Sequence, residues 1–173
     1  MKNIVLTYGC IAGFIVSLMM VVGSYTCYHD AHFKPNLFWG YGGMVAAFAF
    51  ISIGILKFRN QQNQGSITFG KAFQIGLLIA LIISTFYVVV WLIEYYLFIP
   101  DFMDKYVSAA LKEAQQKGIN GAALEAQKQQ LQRYQDWYKN PLLLILLTYA
   151  EILPLGILVA LLSALGLKKK PKA

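Results

Sequence analysis

The stretch PLLLILLTYAEILPLGILVALLSALGL, residues Pro141–Leu167, constrains this chain more than any other. Nearly every side chain in it is hydrocarbon or small. A run of roughly 18 or more apolar residues exceeds what a buried helix of a soluble domain requires, so it needs a bilayer as its solvent. Three more segments share this character, at about Ile4–Ser24, Leu37–Leu56 and Ala72–Ile99. Each is long enough to cross about 30 Å of hydrocarbon as a helix. The composition agrees, with 58% hydrophobic and only 13% charged residues among 173, where an ordinary soluble domain carries roughly 25% charged. The expected fold is all-α: a polytopic membrane protein of one membrane domain over residues 1–173, with four transmembrane helices in an up-and-down bundle. The apolar run after Lys2 outlasts the roughly 7–15 residues of a cleavable signal, so it reads as an uncleaved first span.

Charge sets the expected orientation. Fifteen basic and eight acidic side chains give +7. Lys2, Lys57, Arg59, Lys71, Lys168, Lys169, Lys170 and Lys172 crowd against the spans with no acid among them. Lys34, Lys105, Lys112, Lys117, Lys128, Arg133 and Lys139 lie on the other side, diluted by acids. The rule that basic flanks stay inside places both termini in the cytoplasm and residues 100–140 on the opposite side of the membrane. The terminal lysines then serve as an anchor to anionic lipid, each contributing about 1 kcal/mol. Nucleic acid is not an expected partner, because that needs a basic folded surface with stacking aromatics. Aromatic groups at Tyr25 and Tyr28, Phe38 to Tyr41, Trp91 to Tyr96, and Trp137 with Tyr138 are expected at headgroup level on one side. Cys10 and Cys27 lie 17 helical steps apart, about 25 Å, and a disulfide needs Cα atoms within about 7 Å.

Inside lipid, helices associate where small residues let their backbones approach. Stripes at four-residue spacing occur in every span: Gly9, Gly13 and Ser17; Gly42 and Ala46; Ala72, Gly76, Ala80 and Ser84; Gly156, Ala160 and Ala164. They suit either a compact bundle or a homo-oligomer. The connection Pro100–Asn140 reads as an extramembrane two-helix insert. Asp101 is the expected cap of its first helix, which carries Met103, Tyr106, Val107, Ala110, Leu111 and Ala114 on one face and ends at Gly118. Asn120 is expected to start the second, with Leu124, Leu131, Tyr134 and Tyr138 in a stripe. Asn140-Pro141 reads as the cap and first turn of the last span. The insert mixes bases with acids and glutamines, which favours a hairpin standing off the membrane over a helix lying on it.

At the third span the sequence becomes more specific. Ser66-Ile67-Thr68-Phe69-Gly70-Lys71-Ala72-Phe73, leading into Gly76, resembles the signature of the domain-of-unknown-function 4199 family of bacterial membrane proteins. Pro100-Asp101-Phe102-Met103, Glu151-Ile152-Leu153-Pro154-Leu155-Gly156 and the lysine-rich end match as well, so the resemblance spans essentially the whole chain. Leu155 stands where that pattern commonly has valine. The resemblance implies a four-span protein of the cytoplasmic membrane, mostly found in Bacteroidota, and carries no activity with it.

Glu151 is the leading candidate site, because an ionised carboxylate facing lipid near the bilayer centre costs several kcal/mol. It should face the bundle, be protonated or pair. Ser84, Thr85 and Ser17 lie at similar depth, and Pro154 frees a carbonyl in the turn before it. One reading is structural, a protonated acid bonded to a hydroxyl or that carbonyl; the other is a proton or ion site. Glu94 sits among Trp91, Tyr95 and Tyr96 as an interfacial acid; the alternative is a metal site in which His29 and His32 together join Glu94 or Asp101. Loop histidines are more often solvated, and no metal or cofactor is expected. Gly65 to Lys71 has the G-x4-G-K spacing of a phosphate loop, but Ala72 lacks the hydroxyl that holds magnesium, and polar Asn60–Gln64 precedes it where a strand should be. No nucleophile is paired with a base, so no enzyme is expected. Two functions remain: a non-enzymatic accessory or scaffold protein whose hairpin binds a membrane protein partner, and a small proton- or ion-linked transporter or channel component using Glu151.

Overall fold

The computed structural model describes residues 1–30, 33 and 37–170, with the backbone alone at 37–40. The readings of His32, Lys34 and Lys172, and of the Phe38 and Trp39 side chains, lie outside the described residues. Six helices follow in order: α1 (Lys2–His29), α2 (Leu37–Gln62), α3 (Phe69–Leu97), α4 (Phe102–Gln116), α5 (Ala122–Lys139) and α6 (Pro141–Leu167). Four are long and apolar enough to cross a membrane: α1, α3, α6 and the Tyr41–Gln62 portion of α2. Among the described residues there is no strand, only one isolated antiparallel pair between Ile67 and Lys169.

The helix ends follow local chemistry. Thr68 Oγ1 accepts from the Lys71 N–H at 3.4 Å and starts α3. Asn140 Oδ1 accepts from Leu142 and Leu143 N–H at 3.0 and 3.4 Å, and Pro141 fills the first turn of α6. These are the orphan donors that every helix start must satisfy. At the end of α4, Gly118 takes φ +78°, a conformation that disfavours a side chain. Its N–H reaches Gln115 O while Ile119 N–H reaches Ala114 O, the paired bonds of a Schellman ending. Two expected caps differ. Asp101 precedes α4 without capping it, because its carboxylate is drawn to Tyr28 and Lys105. Gly121, not Asn120, precedes α5, and the Asn120 amide donates to Gly118 O instead.

The central helix is α3, packed against α1 on one side and α6 on the other; α2 packs mainly on α1 and touches α6 and α3. The α3–α6 seam is built from small residues. A Cβ placed on Gly76 would sit 3.0 Å from Ala160 Cβ and 3.3 Å from its Cα, and one on Gly156 would meet Ala80 Cβ at 3.0 Å. Ala72, Ala80, Ser84, Ala160 and Ala164 are buried along the same line. On α1, Gly9 and Gly13 admit Ile82 and Phe86 of α3. On α2 the expected stripe is displaced by one residue. Gly43 and Ala47 are buried while Ala46 is exposed, because Gly43 meets Met19 and Gly54 meets Ile79 and Tyr8, and only that face points inward. Ser52 and Ser163 hydrogen-bond at 2.8 Å across α2 and α6.

One end of the bundle is knitted by the chain itself. Ile67 and Lys169 exchange backbone hydrogen bonds at 2.8 and 2.9 Å. Arg59 donates to Leu167 O at 3.2 Å, and the Met1 amine reaches Gln62 Oε1 at 2.6 Å. At the other end, α4 and α5 pack on each other and α5 on the start of α6. Trp91 and Tyr95, expected at the membrane surface, are instead buried there.

The seam yields a sharp contrast between two glycines of the third-span motif. Gly76→Val should destabilise the protein by about 1–3 kcal/mol, since added methyls must push α3 from α6. Gly70→Ala, with open space around its Cβ, should stay within about 0.5 kcal/mol. Reversible unfolding in detergent micelles would measure both.

Candidate functional site

Where α3 carries small residues, from Ala72 to Ser84, its neighbours lie close. Beyond Ser84 its inward face turns bulky, with Tyr87, Val88, Trp91 and Tyr95. α1 and α6, packed on either side of α3, make almost no direct contact with each other. A cavity of about 260 Å³ results. Its walls are one face of α1 (Val16, Met19, Met20, Gly23, Ser24, Cys27), Tyr87 and Trp91 of α3, and Thr148 and Glu151 of α6. Phe102 of α4 and Tyr138 of α5 close its end.

Glu151 therefore faces this cavity rather than Ser84 or Thr85. The seam explains why. Gly76 lies against Ala160 and Ala80 against Gly156; four residues on, that register sets Ser84 opposite Ile152, and Glu151 is turned about 100° away around α6. Glu151 makes no hydrogen bond or ion pair with any described residue. Ser84 is fully buried and its hydroxyl, like that of Ser17, has no hydrogen-bond partner among the described residues; both act as small packing residues. Thr85 donates to Leu81 O at 2.8 Å, so Tyr149 supplies the proton of the 2.9 Å bond between their hydroxyls. Pro154 is exposed, and α6 runs through it unbroken.

Glu94 is buried, at 6% exposure. Ser24 Oγ donates to Glu94 Oε1, while Oε2 has no hydrogen-bond partner among the described residues. Met20 O and Val21 O also lie 2.9 and 3.1 Å from the Ser24 hydroxyl. Three acceptors thus surround a single proton. Ser24 lines the cavity, so Glu94 stands directly behind its wall.

The cavity's closed end is held to α1 by a polar cluster. Tyr28 donates to Asp101 Oδ1 at 2.6 Å, Lys105 pairs with Asp101 Oδ2 at 3.3 Å, and the Lys105 ammonium sits 3.5 Å from the Tyr28 ring centroid. The Tyr28 hydroxyl first, and Lys105 after it, hold the Asp101 carboxyl below its ordinary range. Rings complete the junction: Phe102 meets Trp91 edge-on at 5.3 Å and Phe33 at 5.1 Å, and Tyr95 meets Tyr138 at 5.6 Å. Burial, followed by nearby Glu151, pushes the Tyr138 phenol up to about 12. It remains a neutral donor in any physiological medium. Further along, Gln135 donates to Asp104 between α5 and α4.

The other motif residues lie at the opposite end. Phe69 and Phe73 stack at 6.0 Å, and Lys71 reaches Gln74 Oε1 at 3.3 Å. Gly70 has open space and Gly76 belongs to the seam. No group of three His, Cys, Asp or Glu side chains suited to a metal occurs among the described residues; His29 bonds to Tyr25 O at 2.9 Å. Sequence reasoning missed the cavity's Ser24, Tyr87, Phe102 and Tyr138. The available signal was the switch from small to aromatic residues along one face of α3.

The sequence model of the family described as "Protein of unknown function (DUF4199)" matches residues 7–169. The chain belongs to this family. No curated protein and no solved structure matches it. The matched DUF4199 region takes in the seam, the cavity and both acids, so the family assignment covers the site without assigning it a role.

The Asp101 cluster has a signed pH dependence. A carboxyl held low in the folded protein stabilises the docked state above its unfolded value of about 3.9, and loses that effect as pH falls through the lower folded value. The protection factors of amides 102–107, taken against the intrinsic exchange rate at each pH, should therefore fall on acidification to about pH 3. In Tyr28→Phe, which lacks the donor holding the carboxyl down, the fall should begin at higher pH.

Proposed function

We propose that this DUF4199 protein is a small proton- or cation-linked membrane component whose working group is Glu151. The observation that carries this reading is an unpaired carboxylate in a 27-residue apolar helix, facing a cavity rather than a hydrogen-bond partner. Intramembrane acids are costly and mark ion or proton routes when they line such spaces. Glu94, hydrogen-bonded to Ser24 directly behind the cavity wall, adds a second buried acid close to the same space. In this reading the protein is a four-span up-and-down bundle of the bacterial cytoplasmic membrane. Its lysine-flanked end is cytoplasmic and bound to anionic lipid; α4 and α5 form a hairpin on the periplasmic side. No enzymatic step is assigned to it.

The test is an acid jump outside proteoliposomes carrying an entrapped pH dye. The natural protein should speed lumen acidification over empty vesicles. Glu151→Gln should abolish that gain while its unfolding midpoint stays within about 1 kcal/mol of the parent, as expected of a surface-accessible isostere. Equal rates for the two proteins would sink the reading.

A second reading, an accessory protein that binds a membrane partner through α4 and α5, draws on Tyr106, Tyr134 and Trp137. All three are about 40% exposed, and Tyr134 and Trp137 meet edge-on at 5.2 Å. None lines the cavity. Replacing Tyr134 and Trp137 with Ser should therefore leave acidification intact, and a cellular defect in that variant would favour partner binding.

A further inference from the structure

The cavity beside Glu151 has a composition that selects among ligands. We propose that it binds a small lipophilic organic ammonium ion, with Glu151 as the counter-charge and Tyr87, Trp91, Phe102 and Tyr138 as the aromatic walls. The inference rests on the reading of Glu151 as the working group and names the class of cation that it meets.

Four ligand classes compete for a space of about 260 Å³. An anion is excluded by the lining, which holds a carboxylate and no lysine or arginine among the described residues. A transition metal lacks donors, since no third His, Cys, Asp or Glu joins the site. A neutral hydrocarbon would fit the apolar walls but would leave Glu151 without compensation, in a place where a lone charge is costly. An organic ammonium satisfies both features. Its charge meets the carboxylate, and its carbon-bound hydrogens meet ring faces, whose quadrupoles attract cations most strongly when water is excluded. The sulfur groups of Met19, Met20 and Cys27 supply polarizable, adaptable walls for its apolar part.

Size agrees with this assignment. An apolar cavity of about 150 Å³ holds benzene, so this one takes a ring of that size together with a compact ammonium head. The same molecule already seats an ammonium on an aromatic ring close by, where Lys105 lies over Tyr28. That pair sits at the α4 junction, beside Phe102, and shows the local chemistry accepting a cation against a π face.

The test uses the full chain in lipid nanodiscs and two probes of nearly equal shape. Benzyltrimethylammonium carries the charge, and neopentylbenzene is its neutral isostere. Equilibrium dialysis should give saturable one-to-one binding of benzyltrimethylammonium. Binding should weaken at least about tenfold for neopentylbenzene on the natural protein and for the ammonium on Glu151→Gln, as expected when one member of a charge pair is removed. Absence of saturable ammonium binding overturns the inference. So does equal affinity for the neutral isostere, which would make the cavity a plain apolar pocket, and so does undiminished binding to Glu151→Gln. The isostere comparison needs no variant and stands if the substitution disturbs folding. Glu151-dependent acidification with no ammonium binding would overturn this inference and leave the proton reading standing.

Discussion

The close approach of α3 and α6 is the constraint on which the rest of the structure depends. Hydrophobic exclusion cannot drive two apolar helices together in lipid, because lipid tails are as apolar as leucine. What remains is contact, and contact requires that backbones come near. Gly76, Ala80, Gly156 and Ala160 supply that nearness. Once α3 and α6 are locked in register, every neighbouring position on α6 has its direction fixed. Ile152 goes to the seam and Glu151 to the gap facing α1.

The cavity is the complement of the same seam. Small residues occupy one end of the inward face of α3 and bulky aromatic ones the other. The cavity at the aromatic end is lined also by the connection after α3, whose first helix brings Phe102 and whose second brings Tyr138. The insert is thus part of the bundle's architecture as well as a connection outside it. Tyr28, Asp101 and Lys105 hold it in place with the strongest polar geometry at that end.

Much of this was legible in the amino-acid sequence. Long apolar runs imposed four helices, Asn140-Pro141 and Gly118 marked the ends that they mark in the structure, and the stripes on the first, third and fourth spans pack as they stand. Other features resisted for physical reasons. Gly42 and Gly43 are adjacent, and only the partner helix decides which of them faces inward. Trp91 and Tyr95 have the chemistry of interfacial residues, and their burial depends on a roof donated from residues 102 and 138, remote in the chain. Glu151 announced itself by being an acid in hydrocarbon. Its direction, however, followed from a register between helices that periodicity within one helix does not contain.

The antiparallel pair between Ile67 and Lys169 has a consequence in time as well as in space. Lys169 follows all four apolar helices in the chain, so the pair can close only after the ribosome has made every one of them. Until then the turn before α3 offers an unpaired N–H and C=O at Ile67. Closure joins residues 67 and 169 into a backbone ring that contains α3, α4, α5 and α6 and leaves α1 and α2 outside it. That ring cannot shut before α6 is in the chain, and α6 is also the helix that brings Thr148 and Glu151 to the cavity wall.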